Sequence, residues 1–423
     1  MNVKNLLKIK FYTNNFKYWL LIIFCFYPYL NLFQLGTDTQ PNALLFSIPI
    51  LLVNLRRGFP TYYLICFLLF AVAFITLLMS NLDFRSFLSF SNYVSILVVP
   101  LAVFFTLNFF GGLSYDFFKK VIYTWGIVGI IQKFIYGNFL TFILSRSSGV
   151  ADSNGRGVVS LSPEPTYYGS VIILFLIIYF LNFTFKKDYK LLTVLMIQLI
   201  FLSLSSTSIL VLLVATAIYL MVVFVNLPLK KISLILSVSA VIMLSIFFIS
   251  PLFSGSRVYK LVSIVLLKPE LILLDESIAE RFNAIYFSIG SLFDNYGIPN
   301  GYNSYTNYIL KQSQDPGNAM FFLNFKIANY GRILSGFGIG IYELGIFGLL
   351  IPLFIFASIW RCLKNHSVKF AYILFNLILF TAMSLNNSLI LFIIGNMIYL
   401  SNLKKEVKFI KPPESKIIIG VIN

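Results

Sequence analysis

Apolar runs long enough to cross a bilayer alternate with short polar joints along most of this chain. Such runs fall at about 18–35, 42–55, 61–80, 88–110, 120–140, 166–184, 190–205, 208–226, 232–252, 337–360, 369–384 and 387–402. A helix needs roughly 20 apolar residues to span the hydrocarbon core, and most of these runs come near that length. The second is short, and only Ser205-Ser206-Thr207 separates the seventh from the eighth. Alternating segments of ~10 residues, the mark of a transmembrane barrel, are lacking. The pattern predicts an all-α polytopic membrane protein with about 12 transmembrane helices. Helices 1–5 lie within 1–140, helices 6–9 within 166–252 and helices 10–12 within 337–402. The polar remainder forms two large loops, 141–165 and 253–336, and a tail, 403–423.

Composition agrees with the pattern. Of 423 residues, 59% are hydrophobic, 17% aromatic and only 11% charged, where a soluble chain carries about a quarter charged residues. The charge of +17 invites a nucleic-acid partner, but the positions of the basic residues oppose one. With the N-terminus inside, Lys4, Lys8, Arg56, Arg57, Lys119, Lys120, Lys186, Lys187, Lys230, Lys231, Arg361 and Lys404 all fall in cytoplasmic segments. That asymmetry orients a membrane protein and accounts for the whole net charge; the other segments are balanced. Both termini are therefore expected in the cytoplasm, and both large loops outside. The basic start MNVKNLLKIK leads into a first helix expected to be retained, since no small-residue cleavage site follows Leu35. Cys25, Cys66 and Cys362 have no metal-site spacing and read as packing residues; with these and the single His366 alone, no cofactor is expected.

The outer loops carry the chemistry. In SRSSGVADSNGRGVVSLSPEPTYYG, Ser145–Gly169, Arg146 and Arg156 stand among glycines, ahead of Glu164-Pro165. A guanidinium fork suits phosphate oxygens. Pro165 fits the first turn of a helix, which puts Glu164 at its start, where the helix dipole favours a carboxylate. A plain capping acid is the simpler reading of Glu164. In the larger loop, Ser277 and Glu280 have capping-box spacing. Ile278, Phe282, Ile285, Ile289 and Leu292 recur at helical spacing, with Arg281 at the stripe's edge, as on a helix lying along a membrane surface; there Arg281 either meets a ligand or simply snorkels. Gly297-Ile-Pro-Asn-Gly301 reads as a tight turn whose backbone N–H groups can approach a ligand. Lys133, Gln132 and Glu343 lie inside predicted spans, where polar groups face a cavity or a partner.

Taken together, Arg281 and its aromatic-rich helix, Gly297…Gly301, and Glu343-Leu-Gly345-Ile-Phe-Gly348 resemble the C-terminal signature of the O-antigen polymerase and ligase superfamily. Arg146 and Gly157, with ten residues between them, and Glu164-Pro165-Thr-Tyr-Tyr-Gly169 resemble the Arg-x10-Gly and E-P-x-x-x-G elements of its Wzy-type polymerases. The layout of spans and outer loops extends the resemblance over the whole chain. The ligase branch carries a histidine shortly before its E-x-G span; here Arg332-Ile-Leu-Ser335-Gly336 stands there, and His366 is expected in the cytoplasm. Arg281 also lacks the ten-residue spacing to a glycine.

The resemblance implies a GT-C-like, metal-independent glycosyltransferase at the periplasmic face of the bacterial inner membrane. It would join undecaprenyl-pyrophosphate-linked oligosaccharide repeat units into O-antigen, capsule or exopolysaccharide. Its partners would be that lipid-linked donor, the bilayer, a chain-length regulator and a flippase, with no nucleic acid. Arg146, Arg156, Arg281 and Arg332 would bind the pyrophosphate. Glu164, or in second place Glu343, would serve as the base. Tyr167, Tyr168, Tyr302, Asn303 and Tyr305 would hold the sugars. A flippase or other transporter and an O-antigen ligase are the competing readings.

Overall fold

The structure is a computed structural model that describes residues 16–31, 41–56, 58–144, 157–224, 264, 276–322 and 333–409. Among them no strand forms, and one isolated bridge joins Leu30 to Leu144. The helices are α1 (Phe16–Phe26), α2 (Asn42–Asn54), α3 (Tyr63–Met79), α4 (Phe84–Phe110), α5 (Tyr115–Phe134), α6 (Pro165–Asn182), α7 (Tyr189–Ile197), α8 (Ser206–Phe224), α9 (Glu276–Asp294), α10 (Tyr305–Ser313), α11 (Gly336–Leu344), α12 (Leu350–Ile359), α13 (His366–Thr381) and α14 (Ser388–Phe409). Every expected apolar segment except the ninth contains one of these helices; 232–252 lies outside the described residues. Phe84–Phe110, Pro165–Asn182, Ser206–Val223 and Gly336–Cys362 are long and apolar enough to cross a membrane, and six shorter helices are apolar too. The chain is thus an all-α protein with the helices of a membrane protein.

Two expected spans are cut. The first helix stops at Phe26 rather than running to residue 35, because Pro28 has no N–H to extend it; the chain then turns, and Leu30 meets Leu144. The tenth breaks after Leu344, at Gly345, passes through a 3₁₀ stretch over Gly345–Leu349 and resumes as α12.

α6 and α14 form the centre, with Leu174, Phe175, Leu389, Phe392 and Ile398 fully enclosed. α3 and α8 lie at the rim, where Leu64, Met79, Leu213 and Met221 are exposed. That outward apolar surface is what lipid solvates, so close packing and hydrogen bonds hold the helices together rather than the hydrophobic effect. α4 shows how. Pro100 removes the helical bond to the Ile96 carbonyl, and the Cys66 thiol of α3 donates to that oxygen (3.5 Å). One residue on, the Tyr63 hydroxyl donates to the Leu97 carbonyl. Both cysteine and tyrosine therefore serve packing, as expected of Cys66.

The loop contacts sort into two ends. At one, Tyr115 of α5 donates to Asp188 just before α7. At the other, here called the upper end, the Asn387 amide donates to the Tyr29 hydroxyl (3.2 Å), Leu30 meets Leu144, and residues 301–303 dock on Ser80 and Asp83.

Candidate functional site

The upper end is built around the broken helix. A break inside a span frees backbone groups that lipid cannot satisfy, and residues 297–300 supply the partners. The Ile346 N–H donates to the Gly297 carbonyl (2.9 Å). The Asn300 side-chain amide donates to the Tyr342 carbonyl (3.0 Å) and to the Ser291 hydroxyl (3.3 Å). Gly345 permits this contact. Its φ of +60° and ψ of −138° belong to a region that only glycine occupies readily, and a Cβ there would lie 2.2 Å from the Gly297 carbonyl oxygen. The Gly297…Gly301 turn and the Glu343-Leu-Gly345 element, read separately in the sequence, thus form one joint. The close backbone approach expected at Gly297 is to the protein's own chain.

Beneath this joint sits Glu343. Its side chain is enclosed, and Oε2 accepts a hydrogen bond from the Tyr93 hydroxyl of α4 (2.7 Å). The Ser89 hydroxyl reaches the same carboxyl group. The Tyr302 ring lies 6.1 Å from that of Tyr93, its hydroxyl donates to the Ala73 carbonyl (2.8 Å), and burial pushes its phenol pKa up. Tyr302 therefore packs beside the Tyr93–Glu343 pair. Asn303, in the left-handed region at φ +60°, donates to Asp83 (3.2 Å).

Asp83 caps α4. It accepts from the Ser86 N–H (2.7 Å), and that bond, with help from Asn303, holds its carboxyl below the usual carboxylate range. A lowered folded-state pKa stabilises chiefly the start of α4 above the ordinary carboxylate pKa, and that contribution is lost as pH falls through the lowered value. Acidification below about pH 4 should therefore speed amide exchange in the first turn of α4. Asp83→Asn, which keeps the accepting oxygen, should remove that acid response.

The second part of the upper end is an elbow formed by residues 157–164. Val158, Ser160, Leu161 and Ser162 are all buried. Gly157 presses on the turn after α7, where a Cβ would lie 2.0 Å from the Ser203 carbonyl oxygen, and the Val158 N–H donates to the Leu202 carbonyl (2.9 Å). That turn is itself irregular: Gln198–Ser203 is π-helical. From α5, Gln132 grips the Ser160 backbone at both ends. Oε1 accepts from the Ser160 N–H (2.6 Å) and Nε2 donates to the Ser160 carbonyl (2.9 Å) and to that of Phe139 (2.9 Å). The Ser160 hydroxyl donates to the Trp125 carbonyl (2.7 Å). The Ser162 hydroxyl then donates to the Glu164 carbonyl (2.9 Å), and Pro165 opens α6. Glu164 occupies the N-cap position, as the sequence predicts, but its side chain makes no capping bond. The simple reading of a capping acid does not hold.

Of the other residues singled out in the sequence, Arg146, Arg156 and Arg332 lie outside the described residues. Arg281 is half-buried on α9. Tyr167 packs at 5.7 Å from Tyr29. Tyr168 is fully buried against Trp125 and donates to Gln198 (2.9 Å); Tyr305 is buried at 4.9 Å from Tyr342. Both rings are thus packed within the protein. Glu164 and Glu343 sit on different elements: the first at the end of the elbow before α6, the second on α11, facing α4. Lys133 turns its ammonium to the Phe201 carbonyl. Sequence reasoning missed Tyr93, Gln198 and Ser160; the first two are lone polar residues within apolar runs, a signal it used only for Gln132, Lys133 and Glu343. Among the described residues no group of three or more His, Cys, Asp or Glu side chains gathers where a metal ion could sit.

α9 is turned differently from a soluble amphipathic helix. Ala279, Asn283, Ala284, Phe287, Ser288 and Ser291 face inward, against α11 and α13. Phe282, Tyr286, Ile289 and Phe293 are exposed. The helix also includes Glu276, so Ser277 lies within it rather than ahead of it, and the expected capping box is not the start.

Compared with known proteins, the chain matches no family model, and neither a curated protein nor a solved structure is detectably similar to it.

Proposed function

We propose that the protein is a polysaccharide polymerase of the inner membrane. It transfers a growing glycan from one undecaprenyl pyrophosphate to the sugar hydroxyl of the next lipid-linked repeat unit. The upper end is then the periplasmic face, the span count is twelve and both termini are cytoplasmic. The observation that carries the reading is Glu164. A general base must be held rigidly. Glu164 stands at the start of α6 on a buried, hydrogen-bonded elbow. Arg146 and Arg156, just before that elbow in sequence, supply the positive charge that a departing pyrophosphate requires. Tyr302, Asn303, Tyr305, Tyr167 and Tyr168 are the sugar-binding candidates; those whose rings are buried would need the 297–304 loop or the elbow to open. Arg281 and Arg332 are the remaining pyrophosphate candidates, and a chain-length regulator and a flippase are the expected partners.

The test is a glycolipid gel from the host with this gene deleted and then complemented. Deletion should collapse the polymer ladder to core plus one repeat unit. Arg146→Ala and Glu164→Gln should each restore less than about one hundredth of the polymer, as removal of a charge stabiliser or a general base predicts, at normal membrane levels. Core without any repeat would mark a ligase. Single repeats retained on the cytoplasmic leaflet would mark a flippase. Full ladders from both variants would sink the proposed chemistry.

A further inference from the structure

The elbow before α6 holds more than packing requires. Ser160 is completely enclosed yet has φ +52°, in the left-handed region. A residue with a Cβ stays there only where its surroundings over-determine it. Here they do: three hydrogen bonds fix Ser160 alone, to Gln132 at its N–H and carbonyl and to Trp125 at its hydroxyl. Leu204, across the π-helical turn that Val158 touches, is also left-handed at φ +45°. Such irregular backbone clusters at functional sites. Glycine would meet the backbone demand without strain, but it has no hydroxyl for the Trp125 carbonyl. The serine therefore satisfies two requirements at once, a reversed chain direction and a tie to α5.

We propose that Gln132 and Ser160 are positioning residues for Glu164: together they lock a left-handed elbow that sets the direction in which the chain enters α6, and so where the Glu164 carboxylate stands. The proposal rests on the reading of Glu164 as the working base. Glu164 lies four positions after the lock, and the Ser162 hydroxyl, bonded to both the Val159 and Glu164 carbonyls (2.7 and 2.9 Å), stiffens the path between them. Gln132 thus acquires a task beyond satisfying a buried amide. Its long side chain reaches from α5 to the backbone of a neighbouring segment, where a shorter Asn would fall short of both Ser160 groups.

The experiment compares Ser160→Gly, Ser160→Val, Gln132→Leu and Glu164→Gln in the deleted host, each scored as polymer per unit of membrane-embedded protein, with the unfolding midpoint of each purified variant in detergent. Glycine keeps the left-handed turn; valine, β-branched, resists it. Ser160→Gly should stay within about twofold of wild type, while Ser160→Val and Gln132→Leu fall at least about tenfold, the scale of a misplaced catalytic group. A merely structural role would order the variants by unfolding midpoint instead. Where the valine variant does not accumulate, Ser160→Ala takes its place and should show a smaller loss in the same direction. Wild-type polymer from Ser160→Val alongside none from Glu164→Gln overturns the positioning role and leaves the polymerase reading standing. Equal losses in the glycine and valine variants also overturn it, because the hydroxyl and not the chain direction would then matter. Wild-type polymer from Glu164→Gln overturns the reading of Glu164 itself.

Discussion

Gly345→Ala is expected to undo the upper end of the protein. The added Cβ would need to pass within 2.2 Å of the Gly297 carbonyl oxygen and 2.7 Å of the Ile298 carbonyl carbon. Both obstacles are backbone, which cannot swing aside as a side chain can. The φ/ψ pair at Gly345 adds a strain of about 1–3 kcal/mol for any residue with a side chain. If residues 297–300 then lift away, the Ile346 N–H and the Tyr342 carbonyl lose their partners. Each unsatisfied group at membrane depth costs several kcal/mol. The sum is comparable to the whole stability of a domain, about 5–15 kcal/mol, so the variant should accumulate poorly or arrive with 297–304 undocked. Limited proteolysis of membranes checks this: a protease cutting between Tyr296 and Tyr305 should cleave the variant and spare wild type. Wild-type resistance would mean that the two backbones do not meet as described.

Glu343→Ala should have the second largest effect, and Glu343→Gln a small one. The alanine variant leaves the enclosed Tyr93 hydroxyl without its acceptor and opens a void between α4 and α11. A lost buried acceptor costs about 1–3 kcal/mol, and the missing side-chain volume adds to it. The amide of glutamine has the same shape and still accepts from Tyr93, so its unfolding midpoint should stay near wild type. The pair also separates two roles. If Glu343→Gln keeps full polymer output while Glu343→Ala loses both stability and output, Glu343 is a fastening for the joint. If Glu343→Gln melts normally but makes no polymer, the second candidate base becomes the first. Tyr93→Phe is the matching control on α4.

These residues also show how far the sequence could be read. Apolar runs located all the described helices of the bundle, because membrane depth sets their length. The break in the tenth run was hidden: Gly345 sits in a stretch as apolar as any other, and only the arrival of Gly297 from far along the chain gives it a reason. α9 was legible as a helix and illegible as a surface. Its stripe of Phe282, Ile285 and Ile289 is real, but apolar side chains can face protein or lipid, and the inward face proved to be the small and polar one, with Ala279, Asn283, Ser288 and Ser291. Glu164 was placed correctly by Pro165 alone, since a proline in a first helical turn fixes the residue before it. What fixes Glu164 from below came from Gln132, whose Ser160 partner lies 28 positions away and which local pattern cannot pair.

The joint between residues 297–300 and the broken tenth span has a bearing on biosynthesis. Because the chain is made from its N-terminus, Gly297 and Asn300 leave the ribosome before Tyr342 and Ile346 do. The acceptor and donor that complete the break are therefore already translated when the broken segment reaches the translocon. That segment need not lodge in lipid with its backbone groups bare; it can be delivered against a waiting partner. Completion of the broken helix then depends on the loop ahead of it being in place, so a change that delays docking of that loop should appear as misfolding of a helix whose own sequence is intact.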